Sequence, residues 1–379
     1  RWTPARACGS APTAWRWRAE AVAELQMRGV AKTYAGRGGE VRAVADLDLD
    51  VADGEFLALL GPSGCGKSST LRMIVGLEEI SAGEIAFDGR RVNELSPQER
   101  NVNVAMGFEN YALYPNLTVR GNLAFPLELA GVPAAEAAGR IDRIASLLDI
   151  GAILDSRPAA LSGGQQQRVS LGRALVREPA AFILDEVMSH VDAQLKFRMI
   201  DELGKVHREV GRTTVYVTHD QLEALALADR IAVMHEARLQ QVGTRQDLFL
   251  RPANTFVAGF IGEPAMNLLP CEVRDGEVRL AGGMRLKHPG PAAAPAGGLI
   301  LGFRPQHLVP DPAAEDLRAE VKVREYLGER VVYSMAAGDA AFKAVAPAAS
   351  AHRPGAALGF AIAPGRCVFF DAKTGLLLD

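Results

Sequence analysis

A chain of 379 residues is longer than one core usually fills, since single cores stop growing at about 250–300 residues, so two domains are expected. A net charge of −3 with 23% charged residues offers no basic face for a nucleic acid, and no apolar run reaches the roughly 18–20 residues that span a bilayer. Four cysteines, Cys8, Cys65, Cys271 and Cys367, lie without paired or metal-type spacing, which points to a reducing compartment and no disulfide framework.

Residues 1–22 begin without Met, hold all three tryptophans and show neither helical nor strand period, so they read as a disordered or non-native leader. From Leu25, "LQMRGVAKTYA" and "VRAVADLDLDV" alternate apolar and polar residues, as half-buried antiparallel strands do. Then "EFLALLG" (55–61) is a buried strand, "KSSTLRMIVGL" (67–77) a helix, and "AFILDE" (181–186) and "TTVYVTH" (213–219) two further buried strands. Buried strands alternating with helices predict an α/β domain with a parallel sheet. A helical insert at about 108–165 interrupts it. Its "AAEAAGRIDRIASLLDI" (134–150) carries apolar residues at 3.6-residue spacing, and a second helix is expected over 161–177. After about Asn254 short strands take over, broken by "PGPAAAPAGG" (289–298), so a small all-β module of barrel type is expected to close the chain.

"GPSGCGKSS" (61–69) stands after a buried strand and before a helix, the context a phosphate-binding loop requires. Glycines let backbone N–H groups turn toward phosphate oxygens, and the helix N-terminus adds its positive end. The loop supplies Gly61, Pro62, Ser63, Gly64, Cys65, Gly66, Lys67, Ser68 and Ser69. Lys67 is expected to reach the β- and γ-phosphates of a nucleotide and Ser68 to ligate Mg²⁺. "AFILDE" ends in two acids. Asp185 is expected to hold Mg²⁺ through water and Glu186 to polarise an attacking water. Strand order would bring these acids and His219, which ends another buried strand, to the carboxyl edge of the sheet beside the loop.

"LSGGQ" (161–165), joined to the phosphate loop, the acidic strand end and "VTHD" (217–220), resembles the ATP-binding-cassette (ABC) ATPases. The likeness runs through "NYALYPNLTVRGNLAFPL", "DQLEALALADRIAVM" and "LGFRPQHL", covers nearly all of residues 23–379, and is strongest to importer ATPases of the sugar type. It implies an ABC-type P-loop NTPase over 23–255, with an antiparallel β subdomain and the helical insert, and an OB-like regulatory domain over 256–379. It implies a head-to-tail dimer in which Ser162, Gly163, Gly164 and Gln165 bind the γ-phosphate of ATP held by the second copy. Tyr34 is then expected to stack on adenine, Asp192 to line the nucleotide site, and Glu109 to ligate Mg²⁺ and meet the attacking water. The insert around Tyr111, Leu113 and Tyr114 would receive a helix of the membrane subunits. Two transmembrane permease subunits, and indirectly a solute-binding protein, follow as partners, with the chain peripheral on the cytoplasmic face of the inner membrane.

The solute implied is a carbohydrate or a glycerol-3-phosphate-like compound. Polyamine, ferric-ion or oxyanion import, a hydrolysis-poor regulatory subunit, and a soluble ABC switch on DNA or ribosomes are the competing readings. The pattern is broken at Glu109, where the family has Gln, at Val187, where it has Pro, and at Gly107, His190 and Val191. Ala237 stands where a turn glycine is usual, and an Ala held at positive φ costs on the order of 1 kcal/mol.

Overall fold

The computed structural model describes residues 24–36, 39–97, 104–107, 113–177, 181–189, 193–287, 290–291, 297–311, 314, 317–350, 352–362 and 365–378. In chain order its strands and helices are β1 (Leu25–Gly36), β2 (Gly39–Val51), β3 (Phe56–Leu60), α1 (Lys67–Val75), β4 (Ala82–Phe87), β5 (Arg90–Arg91), β6 (Val104–Gly107), α2 (Val119–Leu129), α3 (Ala134–Leu147), α4 (Gly163–Leu175), β7 (Ala181–Asp185), α5 (Ala193–Val210), β8 (Thr213–Thr218), α6 (Gln221–Leu227), β9 (Arg230–His235) and β10 (Arg238–Gly243). The chain continues with α7 (Arg245–Leu250), α8 (Thr255–Phe260), β11 (Asn267–Arg274), β12 (Glu277–Leu280), β13 (Arg285–Lys287), β14 (Leu299–Phe303), β15 (Leu308–Pro310), β16 (Arg318–Leu327), β17 (Arg330–Ala337), β18 (Ala340–Pro347), β19 (Ala357–Ile362), β20 (Cys367–Asp371) and β21 (Leu377–Leu378). Two compact units interleave along this order. The described residues of the first fall within 24–30, 48–56 and 71–216, and those of the second within 31–47, 57–70 and 217–378. No helix among the described residues is long and apolar enough to cross a membrane.

In the first unit β6 runs parallel to β7, with Gly107 opposite Leu184. Ala181, Phe182, Ile183 and Leu184 of β7 are all buried, as befits a strand covered on both faces. Helices α2, α3 and α4 pack on one another through Gly172, where a Cβ would come within 3.1 Å of both Ile144 and Leu123 side chains. Asn122, fully buried on α2, receives the Tyr114 N–H at 2.8 Å and donates to Tyr114 O at 3.1 Å and Thr118 O at 3.0 Å. One side chain thus ties the turn before α2 to the helix itself.

In the second unit β3 is parallel to β9, and β9 is antiparallel to β10. The C-terminal strands form a six-stranded sheet, β13-β12-β11-β14-β20-β21, and a five-stranded sheet, β15-β19-β16-β17-β18. One apolar cluster joins them: Leu301 and Phe303 from the first sheet, and Val321, Val331, Tyr333 and Phe342 from the second. Asn267 crosses between the sheets, exchanging 2.8 Å hydrogen bonds with the backbone of Lys343. Residues 255–260, expected to open the strand-rich segment, form α8 instead. The Asn254 carboxamide oxygen accepts from Val257 N at 2.9 Å, an N-cap that starts a helix. Helix α4 is likewise shorter than 161–177, because Ser162 caps it and Leu161 lies outside.

Candidate functional site

The loop between β3 and α1 is shaped by what its glycines avoid. A Cβ on Gly61 would stand 2.3 Å from Met234 O, and one on Gly66, at φ +107°, would stand 2.2 Å from Ala43 O. Neither position admits a side chain, so the backbone of β9 and the residues before Val44 fix the curvature of the loop. The Lys67 ammonium, 5% exposed, donates to Gly61 O at 2.8 Å and Pro62 O at 3.0 Å, which folds the side chain over the loop with its charge among backbone groups. Thr70 returns both its N–H and its hydroxyl to Gly66 O at 2.9 Å, locking the first turn of α1. Cys65 is buried, and burial raises its thiol pKa against the opposing pull of Lys67. Ser63 and Gly64 are exposed, and Pro62, Ser68 and Ser69 half-buried.

Tyr34 reaches this loop: its hydroxyl lies 3.2 Å from Ser69 Oγ, and the Lys32 ammonium sits 5.0 Å from its ring centre. Tyr34 is half-buried. His219 is exposed just after β8 rather than within it. The turn that presents it is braced by Asp220 N donating to Thr218 Oγ1 at 3.0 Å and by the Thr218 hydroxyl donating to buried Glu223 at 2.5 Å.

In the first unit, Ser162 and Gln165 form a capping box at the start of α4. Gln165 N donates to Ser162 Oγ at 3.4 Å, and Ser162 N donates to Gln165 Oε1 at 2.9 Å. Gly163 and Gly164 lie in the first turn, whose N–H groups have no intrahelical partner, and Ser162 and Gly163 are exposed. The end of β7 carries Asp185 and Glu186, both half-buried, with Glu186 at φ +46°. An acidic residue in the left-handed region is strained, and the turn that holds it is closed by Ser189, whose N–H and hydroxyl both donate to Glu186 O, at 3.2 and 3.0 Å. Leu113 is half-buried. Tyr114 is 42% exposed, its ring 4.7 Å from that of Phe125 and under the Arg173 guanidinium. Glu109, Tyr111, His190, Val191 and Asp192 lie outside the described residues.

One residue of this region escapes a reading by motif. Gln167, 1% exposed on α4, donates through Nε2 to Val187 O, while its buried Oε1 has no partner among the described residues. It links the helix that begins at Ser162 to the strained turn that carries Glu186. A second glutamine after the motif was visible in the sequence, but its buried orientation was not.

Taken singly, Ser68 of the second unit offers a hydroxyl oxygen and Asp185 of the first a carboxylate, the hard donor types Mg²⁺ takes. No group of three His, Cys, Asp or Glu side chains placed to hold a metal is found among the described residues.

Comparisons with known proteins agree along the chain. A family model described as ABC transporter matches residues 44–189, one for the MalK OB fold domain 262–308, and one for the TOBE domain 301–370. The sn-glycerol-3-phosphate import ATP-binding protein UgpC of Cereibacter sphaeroides is 49% identical over 308 residues, 81% of this chain and 85% of that protein. UgpC of Cupriavidus pinatubonensis is 45% identical over 378 residues, 94% of this chain and all of the other. The trehalose import ATP-binding protein SugC of Mycobacterium tuberculosis is 49% identical over 297 residues, 76% and 73% of the two chains. Among solved structures, the dimeric bacterial ABC transporter cassette MJ0796 has a TM-score of 0.55 at 28% identity and covers 58% of this chain and 98% of its own. The same cassette with ADP and Pi, a post-hydrolysis state, gives 0.54.

Proposed function

The chain belongs to the ABC transporter family, as an ATP-hydrolysing import subunit with C-terminal OB and TOBE domains, and from this premise we propose that two copies close head to tail on two ATP molecules to drive solute uptake. The solute class is carbohydrate or glycerol phosphate, which the relatives' names support. The nucleotide domain ends near residue 255 and the regulatory domain follows. Each pair of cassettes serves two permease subunits at the cytoplasmic face of the membrane, fed by a separate solute-binding protein, with exposed Tyr114 in the groove that takes a permease helix.

What supports the nucleotide role most directly is the loop at 61–66, where Gly61 and Gly66 leave no room for a Cβ and the Lys67 ammonium already lies among backbone carbonyls. Lys67 exchanges those neutral acceptors for the β- and γ-phosphates, a stronger charge-assisted pairing. Tyr34 packs on the adenine, and Asp192 lines the nucleotide site. Ser68, Asp185 and Glu109 hold the Mg²⁺, which neutralises charge building on the phosphates. Glu186 orients and polarises the attacking water, and His219 stands by the γ-phosphate. Gly163 and Gly164 offer N–H groups, and Ser162 and Gln165 side-chain donors, to the ATP of the other copy. Strain at Glu186 is the expected signature of a residue held for chemistry rather than stability.

The test pairs two substitutions. Glu186→Gln keeps ATP binding, blocks water activation and accumulates a dimer with ATP and Mg²⁺ that light scattering reads. Adding Ser162→Arg abolishes that dimer. A dimer that persists with Arg at 162 removes the role of the LSGGQ segment across the interface.

A further inference from the structure

The turn that carries His219 is built as one piece with α6. Asp220 caps that helix, its Oδ1 accepting from Leu222 N at 2.8 Å, and the Thr218 hydroxyl meets both Asp220 N and the buried Glu223 carboxylate in the first helical turn. His219 lies between Thr218 and Asp220. Its place therefore follows that of the first turn of α6. Gln221 is the first residue of that turn, yet its side chain bonds outside the helix: the carboxamide oxygen accepts from Gly262 N at 2.7 Å, 41 residues further along the chain. Asp220 already caps α6, so the helix needs nothing from this bond.

The other side of the same peptide unit is held as well. Ile261 O, the carbonyl joined to Gly262 N, accepts from Nη1 of Arg304, which follows β14 of the C-terminal strands. The peptide is planar and trans, so its C=O and N–H point in opposite directions, toward Arg304 on one side and Gln221 on the other. Rotating it breaks both bonds. Arg304 is 1% exposed and fixed in turn by Phe249 O, which accepts from Nε at 3.0 Å and Nη2 at 2.9 Å. Burial lowers its pKa to about 10, so it stays a cation at neutral pH, and a charged donor on the carbonyl strengthens the N–H at the other end of the peptide. Gly262 has φ +105°, and a Cβ there would stand 3.0 Å from Arg304 Nη1 and 3.3 Å from the Phe249 ring. Glycine lets the peptide come this close to the guanidinium.

We infer that Gln221 is a positioning residue for ATP hydrolysis: through the Ile261–Gly262 peptide, anchored by Arg304, it sets the first turn of α6 and with it the place of His219. The inference rests on the reading of His219 as the group beside the γ-phosphate. Misplacing a reacting group by about 1 Å can cost a hundredfold in rate, so a bond spent on placement has a use that helix formation does not give it.

Steady-state ATP turnover of the full chain with Mg²⁺ tests this in five variants. Gln221→Leu removes the acceptor at similar size, and kcat falls about three- to tenfold, the factor one hydrogen bond carries. KM for ATP stays within about twofold, because the phosphate loop is untouched. Gln221→Glu keeps an oxygen at the same reach and returns kcat to within about twofold of the parent, since an acid in a first helical turn is well placed. Arg304→Lys lacks the planar fork and also lowers kcat; combined with Gln221→Leu it falls no more than about twofold below the slower single variant, as two links of one relay must. The Gln221 pair decides alone where Arg304→Lys does not fold. His219→Ala separates the two levels of the reading. Turnover at the parent rate in His219→Ala overturns the role of His219 and this proposal with it. A slow His219→Ala beside a Gln221→Leu variant that keeps the parent kcat, loses only melting temperature, or is not rescued by Glu overturns the proposal alone, and so do additive effects of Arg304→Lys and Gln221→Leu.

Discussion

Replacing Ala237 by Gly should stabilise the protein, and the size of the effect follows from one turn. His235 pairs with Arg238 across β9 and β10, so Glu236 and Ala237 alone make the connection, with φ of +46° and +63°. Two successive positive φ values define the tight hairpin turn that Asn-Gly makes without strain. A Cβ in this region costs about 1–2 kcal/mol, and glycine gives back about 0.5–1 kcal/mol through its greater unfolded-state freedom. The difference leaves a gain of about 0.5–1 kcal/mol, or a rise of about 1–3 °C in the melting transition of this unit. Ala237 O accepts from Ala45 N at 2.7 Å, a bond that glycine keeps, so ADP affinity should not change. Calorimetry on Ala237→Gly, the parent and Ala237→Val should rank them in that order, since a β-branched residue is worse still at positive φ. Equal melting of the Gly variant and the parent, or a Val variant as stable as the parent, would refute the reasoning.

Glu109→Gln restores the amide that the family carries, and ATP turnover in the assembled transporter should rise several-fold with a flatter Mg²⁺ dependence; equal rates and equal Mg²⁺ curves would remove Glu109 from the machinery. Arg304→Met strands Phe249 O and Ile261 O, each a carbonyl at about 1–3 kcal/mol, while Ala258 O keeps the Met266 N–H, so calorimetry should report a loss of about 2–6 kcal/mol, and a loss under 1 kcal/mol contradicts the assigned bonds. Asp247 closes the capping box that Thr244 opens at the start of α7, and its pKa is lowered by the Thr244 hydroxyl and N–H. A depressed native pKa means stability that is present above the unfolded value near 3.9 and lost as pH falls through the native one. Denaturation of Asp247→Asn should therefore show its deficit at neutral pH and converge with the parent in strong acid; a deficit constant with pH would mean that the charge contributes nothing.

How far the sequence could be read depended on how local the determining physics was. "GPSGCGKSS" was legible because strand, glycine turn and helix are written within a few residues of one another, and the structure adds only what Gly61 and Gly66 are avoiding. The turn at Ala237 was legible for the same reason: a missing glycine implies strain, and φ of +63° is that strain. Helix α8 was misread although its signal was present, since Asn254 is an ordinary N-cap whose short helix was outweighed by the strands after it. Gln167 and Arg304 were beyond reach for a different reason. Each is a polar side chain whose burial makes sense only once distant carbonyls arrive, Val187 O for one and Phe249, Ala258 and Ile261 O for the other. Sequence periodicity counts such residues as surface. In the fold they join elements, α4 to the turn carrying Glu186, and the C-terminal strands to α7 and α8. A buried donor with neutral acceptors stabilises by satisfying backbone at a junction, so its removal should loosen that junction before it loosens either element. Arg304 shows the pattern: among the described residues its hydrogen bonds all go to backbone carbonyls, Phe249 O of α7 and Ala258 O and Ile261 O of α8 and its end, so one side chain ties both helices to the end of β14.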